Sequence, residues 1–220
     1  MIIAVGASPE DGDKVKKFVD DLVLKYIGTD TRIGLVTFRK TTKTHLELET
    51  RNINSIRAAV SSMKFESGTL QTPTALATAL DAFEIKSSSQ RKKALVVLTD
   101  GNTVDVGRRT GFTLVREQSI KLHNLGVQVL AIWYSKSKSS LELKAMASFP
   151  KSRNALYILG PSYLPKEAQI VAATTLRGKI LNVKMRVEEE IQNYVDCYIS
   201  YCHLFSLLEC YCTSKLLPYT

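Results

Sequence analysis

Residues Ala94 to Leu98 read Ala-Leu-Val-Val-Leu, an uninterrupted apolar run closed by Thr99-Asp100-Gly101. A strand with one wet face alternates apolar and polar side chains, so a run without alternation belongs to a strand covered on both faces, as at the centre of a parallel sheet. Parallel neighbours need crossover connections, and the chain supplies candidates for them. Ile2 to Val5, Arg32 to Phe38, Val127 to Trp133 and Ala155 to Leu159 are further strand-like runs, while Thr44 to Leu48 alternates and predicts an edge strand paired as a hairpin with Arg32 to Phe38. Between them apolar residues recur at helical spacing: Val15, Phe18, Val19, Leu22, Val23 and Tyr26; then Ile53, Ile56, Val60 and Met63; then Leu76, Ala79, Leu80 and Phe83 behind Pro73, a residue suited to a first helical turn. Leu114 to Leu125 predicts another helix with Gly126 as its C-cap, and Ser140 to Ser148 and Pro165 to Leu181 predict two more. The pattern implies an α/β fold: a doubly wound, mostly parallel six-stranded sheet with one antiparallel edge strand and helices on both faces.

The chain has 220 residues, 45% of them hydrophobic and 23% charged, a balance that sets aside disordered and disulfide-scaffold classes. Charge sign and cysteine content change near Asn182, which places a domain at residues 1–181 and a C-terminal tail at 182–220. The tail holds Lys184, Arg186 and Lys215 against Glu188, Glu189, Glu190, Asp196 and Glu209, so of the +9 net charge the tail contributes −2 and residues 1–181 carry +11. Its basic residues fall in short groups such as Arg91-Lys92-Lys93 and Arg108-Arg109, which read as solvated faces and not as a nucleic-acid surface. A sulfated glycan is the polyanion such a surface would favour, through screened and therefore salt-sensitive attraction. Cys197, Cys202, Cys210 and Cys212 all lie in the tail, with no zinc-ligand spacing. Ile191, Tyr194, Val195, Tyr198, Ile199, Cys202 and Phe205 give it a helical stripe interrupted by Asp196, His203 and Glu209, so it can form an amphipathic helix, read either as one that docks, dimerises or carries disulfide links or as an unpacked extension with no role, and a membrane span is not expected. The opening Met-Ile-Ile-Ala-Val-Gly lacks the basic and long apolar regions of a signal peptide.

In an open sheet of this kind ligands sit outside the carboxyl ends of the strands, which directs attention to the loops after Val5, Leu98 and Trp133. Three segments converge there: Val5-Gly6-Ala7-Ser8-Pro9, Gly68-Thr69-Leu70-Gln71-Thr72-Pro73-Thr74-Ala75-Leu76, and Leu98-Thr99-Asp100-Gly101. None carries the Gly-x-Gly-x-x-Gly turn of a dinucleotide site, a P-loop or a Gly-x-Ser-x-Gly nucleophile turn. His45, His123 and His203 are far apart in sequence and read as packing or surface residues. No catalytic residues are predicted.

These segments, in this order and with Gly126-Val127-Gln128-Val129-Leu130-Ala131-Ile132 behind them, resemble a von Willebrand factor A domain. Leu143 to Ser148 with Ala155 to Leu159 is similar to its extracellular-matrix branch, that of matrilins and collagen type six. The resemblance implies a Rossmann-like fold and a non-enzymatic, extracellular, adhesive module binding matrix or cell-surface proteins; an intracellular scaffold of the same fold is the alternative. It also implies a metal-ion-dependent adhesion site, in which Asp-x-Ser-x-Ser, a Thr and an Asp hold Mg²⁺ for an acidic group of the partner. Thr72 matches the Thr and Asp100 the Asp. The first motif is degenerate, with Val5, Ala7 and Pro9 at its three ligand positions; only Ser8, one residue out of register, or Asp11 and Asp13 further along could supply oxygens by a local shift. The metal set implied is therefore Thr72, Asp100 and Ser8. Read without the resemblance, Asp100 is a turn residue bonding local backbone before Gly101, and Thr72 an N-cap of the helix beginning at Pro73.

Overall fold

A computed structural model of the chain describes residues 1–49, 52–88, 90–101, 103–105, 108–135 and 141–176. The chain divides into two units, Met1–Gly178 and Lys179–Thr220. The expected tail helix, the four cysteines and the boundary at Asn182 lie outside the described residues.

Six strands, β1 (Ile2–Gly6), β2 (Ile33–Phe38), β3 (Thr42–Glu49), β4 (Lys93–Thr99), β5 (Val127–Tyr134) and β6 (Ala155–Ile158), form one sheet in the order β3-β2-β1-β4-β5-β6. Every neighbouring pair is parallel except β2 with β3, which is antiparallel and irregular in register near Leu35. The sheet is thus doubly wound from β1, with the hairpin strand at one edge, as the periodicity implied.

The helices are α1 (Gly12–Leu24), α2 (Ile53–Ser62), α3 (Thr72–Lys86), α4 (Gly111–Asn124), α5 (Leu141–Met146), α6 (Lys151–Asn154) and α7 (Leu164–Leu176). Successive strand residues point to opposite faces, and the core divides accordingly. Ile3, Val5, Leu35, Val96, Leu98, Leu130 and Ile132 pack with Val15, Phe18, Val19 and Leu22 of α1, Ile56 and Val60 of α2, and Ala168 and Val171 of α7. On the other face Ile2, Ala4, Val36, Leu95, Val97, Val129 and Ala131 pack with Ala75, Leu76, Ala79 and Phe83 of α3, Val115 and Leu122 of α4, and Leu143 and Met146 of α5. Both faces of β1 and β4 are therefore dry, which is why their sequences do not alternate. Each fully buried aliphatic side chain contributes about 1.5–3 kcal/mol of transfer free energy.

Capping fixes the helix starts. The Asn52 side chain accepts from Ser55 N at 2.9 Å to open α2, and Thr110 accepts from Thr113 N at 3.2 Å to open α4. The latter places the start of α4 before Leu114, where periodicity alone set it, because the first turn carries little of the apolar stripe.

Candidate functional site

Gly6, at the end of β1, pairs in register with Thr99 of β4, and Val5 with Thr37 of β2, so the three strands end level with one another and Arg39 and Asp100 are the residues that follow β2 and β4. A Cβ at Gly6 would sit 2.6 Å from Phe38 Cε2 and 2.7 Å from Leu70 Cδ2, so only glycine lets Phe38 and Leu70 close over the strand end. Asp100 N donates to Gly6 O at 3.3 Å, which seats Asp100 directly above the end of β1.

Arg39 reaches Asp100 across that end. Its Nη1 donates to Asp100 Oδ2 at 2.9 Å and Oδ1 at 3.0 Å, and its Nε donates to Gly68 O at 2.9 Å. Gly68 presents that carbonyl from φ +130°, a conformation strained for any residue with a side chain. The pair is largely withdrawn from water, with side-chain exposures of 18% for Arg39 and 14% for Asp100. Ser8 N donates to Asp100 Oδ2 at 3.1 Å, so that oxygen accepts two donors. Burial pushes the Asp100 carboxyl up from its ordinary pKa, and the Arg39 guanidinium and the Ser8 N–H hold back part of the rise.

Tyr134, the last residue of β5, lies beside this ion pair. Its hydroxyl is buried without a hydrogen-bond partner, and burial, reinforced by the charges of Asp100 and Asp11, pushes its pKa far up. Thr72 Oγ1 is likewise buried and unpartnered.

The three residues of the implied metal set therefore have distinct settings. Asp100 is occupied by Arg39 and Ser8. Ser8 Oγ donates to Asp11 Oδ2 at 3.4 Å and contributes to the Asp100 shell only through its backbone. Thr72 is not the N-cap: α3 begins at Thr72 itself with Gln71 at the cap, because the helix starts one residue before Pro73. The turn before Gly101 is held by Thr99, whose Oγ1 donates to Gly101 O at 3.0 Å, while the Asp100 carboxylate reaches Ser8, 92 residues away. A hard divalent cation needs several oxygens, usually including carboxylates, in near-octahedral array. Here Val5 is apolar and fully buried, Asp100 already carries a fixed cation, and Thr72 offers one neutral oxygen, so the donor set does not fit such an ion. Among the described residues no group of three or more His, Cys, Asp and Glu is placed to hold a metal.

Arg39 and Tyr134 are the residues sequence reasoning missed. Each stands at the carboxyl end of a parallel strand, the location that the fold rule singles out.

A family profile described as von Willebrand factor type A domain matches residues 6–160. A search among curated proteins finds no significant match. Among solved structures, proximal thread matrix protein 1 from the mussel byssus superposes in two crystal forms with a TM-score of 0.66 at 21% identity, covering 78% of this chain. A third structure of that protein, with a zinc-occupied MIDAS motif, gives a TM-score of 0.64 at 20% identity. In each case the match spans 46% of the byssus protein's length, and at this identity the likeness is one of fold.

Proposed function

The chain belongs to the von Willebrand factor type A family, and from that premise we propose that it is a non-enzymatic protein-interaction module of extracellular-matrix type. Its binding face is the loop surface at the carboxyl ends of β1, β2 and β4, and engagement of the partner requires no divalent cation. The observation that supports this reading is the Arg39–Asp100 pair, a satisfied and charge-balanced centre where the implied Mg²⁺ set of Thr72, Asp100 and Ser8 would stand. Such a centre offers shape and hydrogen bonds to a partner without a metal to complete the contact. The byssus protein is a matrix protein by name, which fits an extracellular setting for this chain.

Capture from matrix extracts on the immobilised chain tests the reading, with and without EDTA and with the exposed Lys40, next to Arg39, replaced by Glu. Specific capture that persists in EDTA and falls with Lys40→Glu is expected. Recovery no greater than on an unrelated basic protein, or capture abolished by EDTA, refutes it. The basic balance of residues 1–181 supports a second, weaker activity toward sulfated glycans, which should elute from a heparin support as salt rises; retention indifferent to salt rejects it.

A further inference from the structure

We propose that the Arg39 guanidinium is the resident cation of this site, standing where a divalent metal would be held, so that the site is closed to Mg²⁺, Mn²⁺ and Zn²⁺ while Arg39 is present. The inference rests on reading the loop surface over the end of β1 as the family's adhesion site and not on the identity of any partner. Four features carry it. The guanidinium contacts both oxygens of the only acidic residue that matches the metal set, at 2.9 and 3.0 Å. It is anchored from behind by Nε to Gly68 O, so it is held in place by the loop preceding α3 as well as by the carboxylate. The position at which the motif would add a second carboxylate is Val5, buried in the apolar core, so Asp100 is the one carboxylate of the implied metal set and Arg39 balances it, while the neighbouring Asp11 is engaged by Ser8 Oγ. The second donor to Oδ2, Ser8 N, completes the carboxylate's shell from the protein's own backbone. A metal ion entering here would have to displace a fixed guanidinium or lie against it, and dehydrate for a single neutral hydroxyl at Thr72.

The consequence is a von Willebrand factor type A face whose state is set by the sequence, not by divalent cation levels. Arg39 is the residue that makes it so, and its removal should restore a weak cation site built on Asp100 and Thr72.

The test titrates Mn²⁺ into the full 220-residue chain, following paramagnetic broadening of the Ser8 and Asp100 amide signals together with the melting temperature. The natural sequence is expected to show neither selective broadening nor a Mn²⁺-dependent rise in melting temperature. Arg39→Met is expected to show both, since an ion that binds only the folded state raises its stability by mass action, and Arg39→Met with Asp100→Asn is expected to lose both. Should Arg39→Met fail to fold, Arg39→Gln replaces it, because a Gln amide can still donate toward Gly68 O. Selective broadening in the natural sequence that Asp100→Asn removes overturns the proposal. So does an Arg39 variant as indifferent to Mn²⁺ as the natural chain. A failed partner capture leaves this titration untouched, and a Mn²⁺-binding natural chain overturns the guanidinium assignment while leaving the interaction module standing.

Discussion

Replacing Arg39 with Met isolates the energetics of the strand-end centre. The substitution keeps the aliphatic stem and removes the two Nη1 contacts to Asp100 and the Nε contact to Gly68 O. Asp100, 14% exposed with Arg39 in place, then keeps Ser8 N as a donor but has lost the counter-charge of Arg39. Stranding one partner of a buried ion pair costs about 3–5 kcal/mol; the residual exposure and the retained Ser8 contact put this case at the low end, about 3 kcal/mol. For a domain of this size each kcal/mol moves the melting temperature by about 2–4 °C, so a fall of roughly 6–12 °C is expected. The double variant Arg39→Met/Asp100→Asn removes both charges and should return to within about 1 kcal/mol of the natural chain, because a neutral pair avoids the desolvation of two ions.

Urea denaturation of the four proteins, natural, single, single and double, gives the coupling energy directly. The pH dependence adds a sign. Burial already raises the Asp100 pKa in the folded state, and loss of Arg39 raises it further. The folded variant then takes up a proton at higher pH than its unfolded chain, so its deficit is full above the folded pKa and shrinks as pH falls toward the unfolded value. An Arg39→Met protein within 0.5 kcal/mol of the natural chain, by the criterion for ordinary surface changes, would refute the account, as would a double variant no more stable than the two singles summed.

Other substitutions probe the supports of the same face. Gly6→Ala would place a methyl group 2.6 Å from Phe38 and 2.7 Å from Leu70, both buried, so it should destabilise by about 1–3 kcal/mol in thermal or urea unfolding; a neutral effect would show that the strand end is looser than its contacts indicate. Glu142 is buried on α5, accepts from Thr103 N at 3.0 Å and has its pKa raised by burial. The stability it withholds is fully lost above its folded pKa and recovered as pH falls toward its ordinary value of 4.5, so Glu142→Gln should stabilise the protein at pH 8 and flatten its stability from pH 5 to 8. An unchanged slope would reject that assignment. His45 and His123 have pKa values lowered first by burial, then by Lys43 and Lys16 for His45 and by Lys151 for His123. Their stabilising contribution is present above the unfolded value of 6.5 and lost as pH falls through the lowered folded values, so replacing both with Gln should blunt acid destabilisation below that point.

The fold was legible because its signals are local and repeated. Ala94 to Leu98 announces a strand dry on both faces, and in the structure Leu95 and Val97 face one core while Val96 and Leu98 face the other. Thr44 to Leu48 alternates, and Leu46 and Leu48 are buried while Glu47 is exposed. The short α6 and the 3₁₀ turns Pro9–Asp11 and Pro161–Tyr163 left no signal, because three or four residues are too few to express a helical period. The start of α4 was displaced for a related reason: its first turn is set by the Thr110 cap, a single residue whose role depends on the backbone entering the helix.

The site was legible in location and not in chemistry, and the reason lies in strand order. Arg39 follows the apolar run of β2 and precedes Lys40, a context that reads in sequence as a solvated hairpin tip. Its partner is 61 residues away, and nothing local joins them. The pairing exists because β1 is inserted between β2 and β4 and ends at Gly6, level with Thr99, so that the residues following β2 and β4 meet over its end. Two strand spacings, about 9–10 Å, separate the ends that must be bridged, a span suited to one long cationic side chain meeting one short carboxylate. The same gap explains why the departures in the first motif are mutually consistent. A carboxylate at Val5 would put a second negative charge beneath the guanidinium and favour a divalent ion over it, whereas valine there leaves Asp100 with one unit of charge to balance. Arg39 supplies that unit from the neighbouring strand. Valine at position 5 and arginine at position 39 are thus two halves of one electrostatic solution: removing Arg39 alone restores a weak ion site on Asp100 and Thr72, and a strong one needs a carboxylate at position 5 as well.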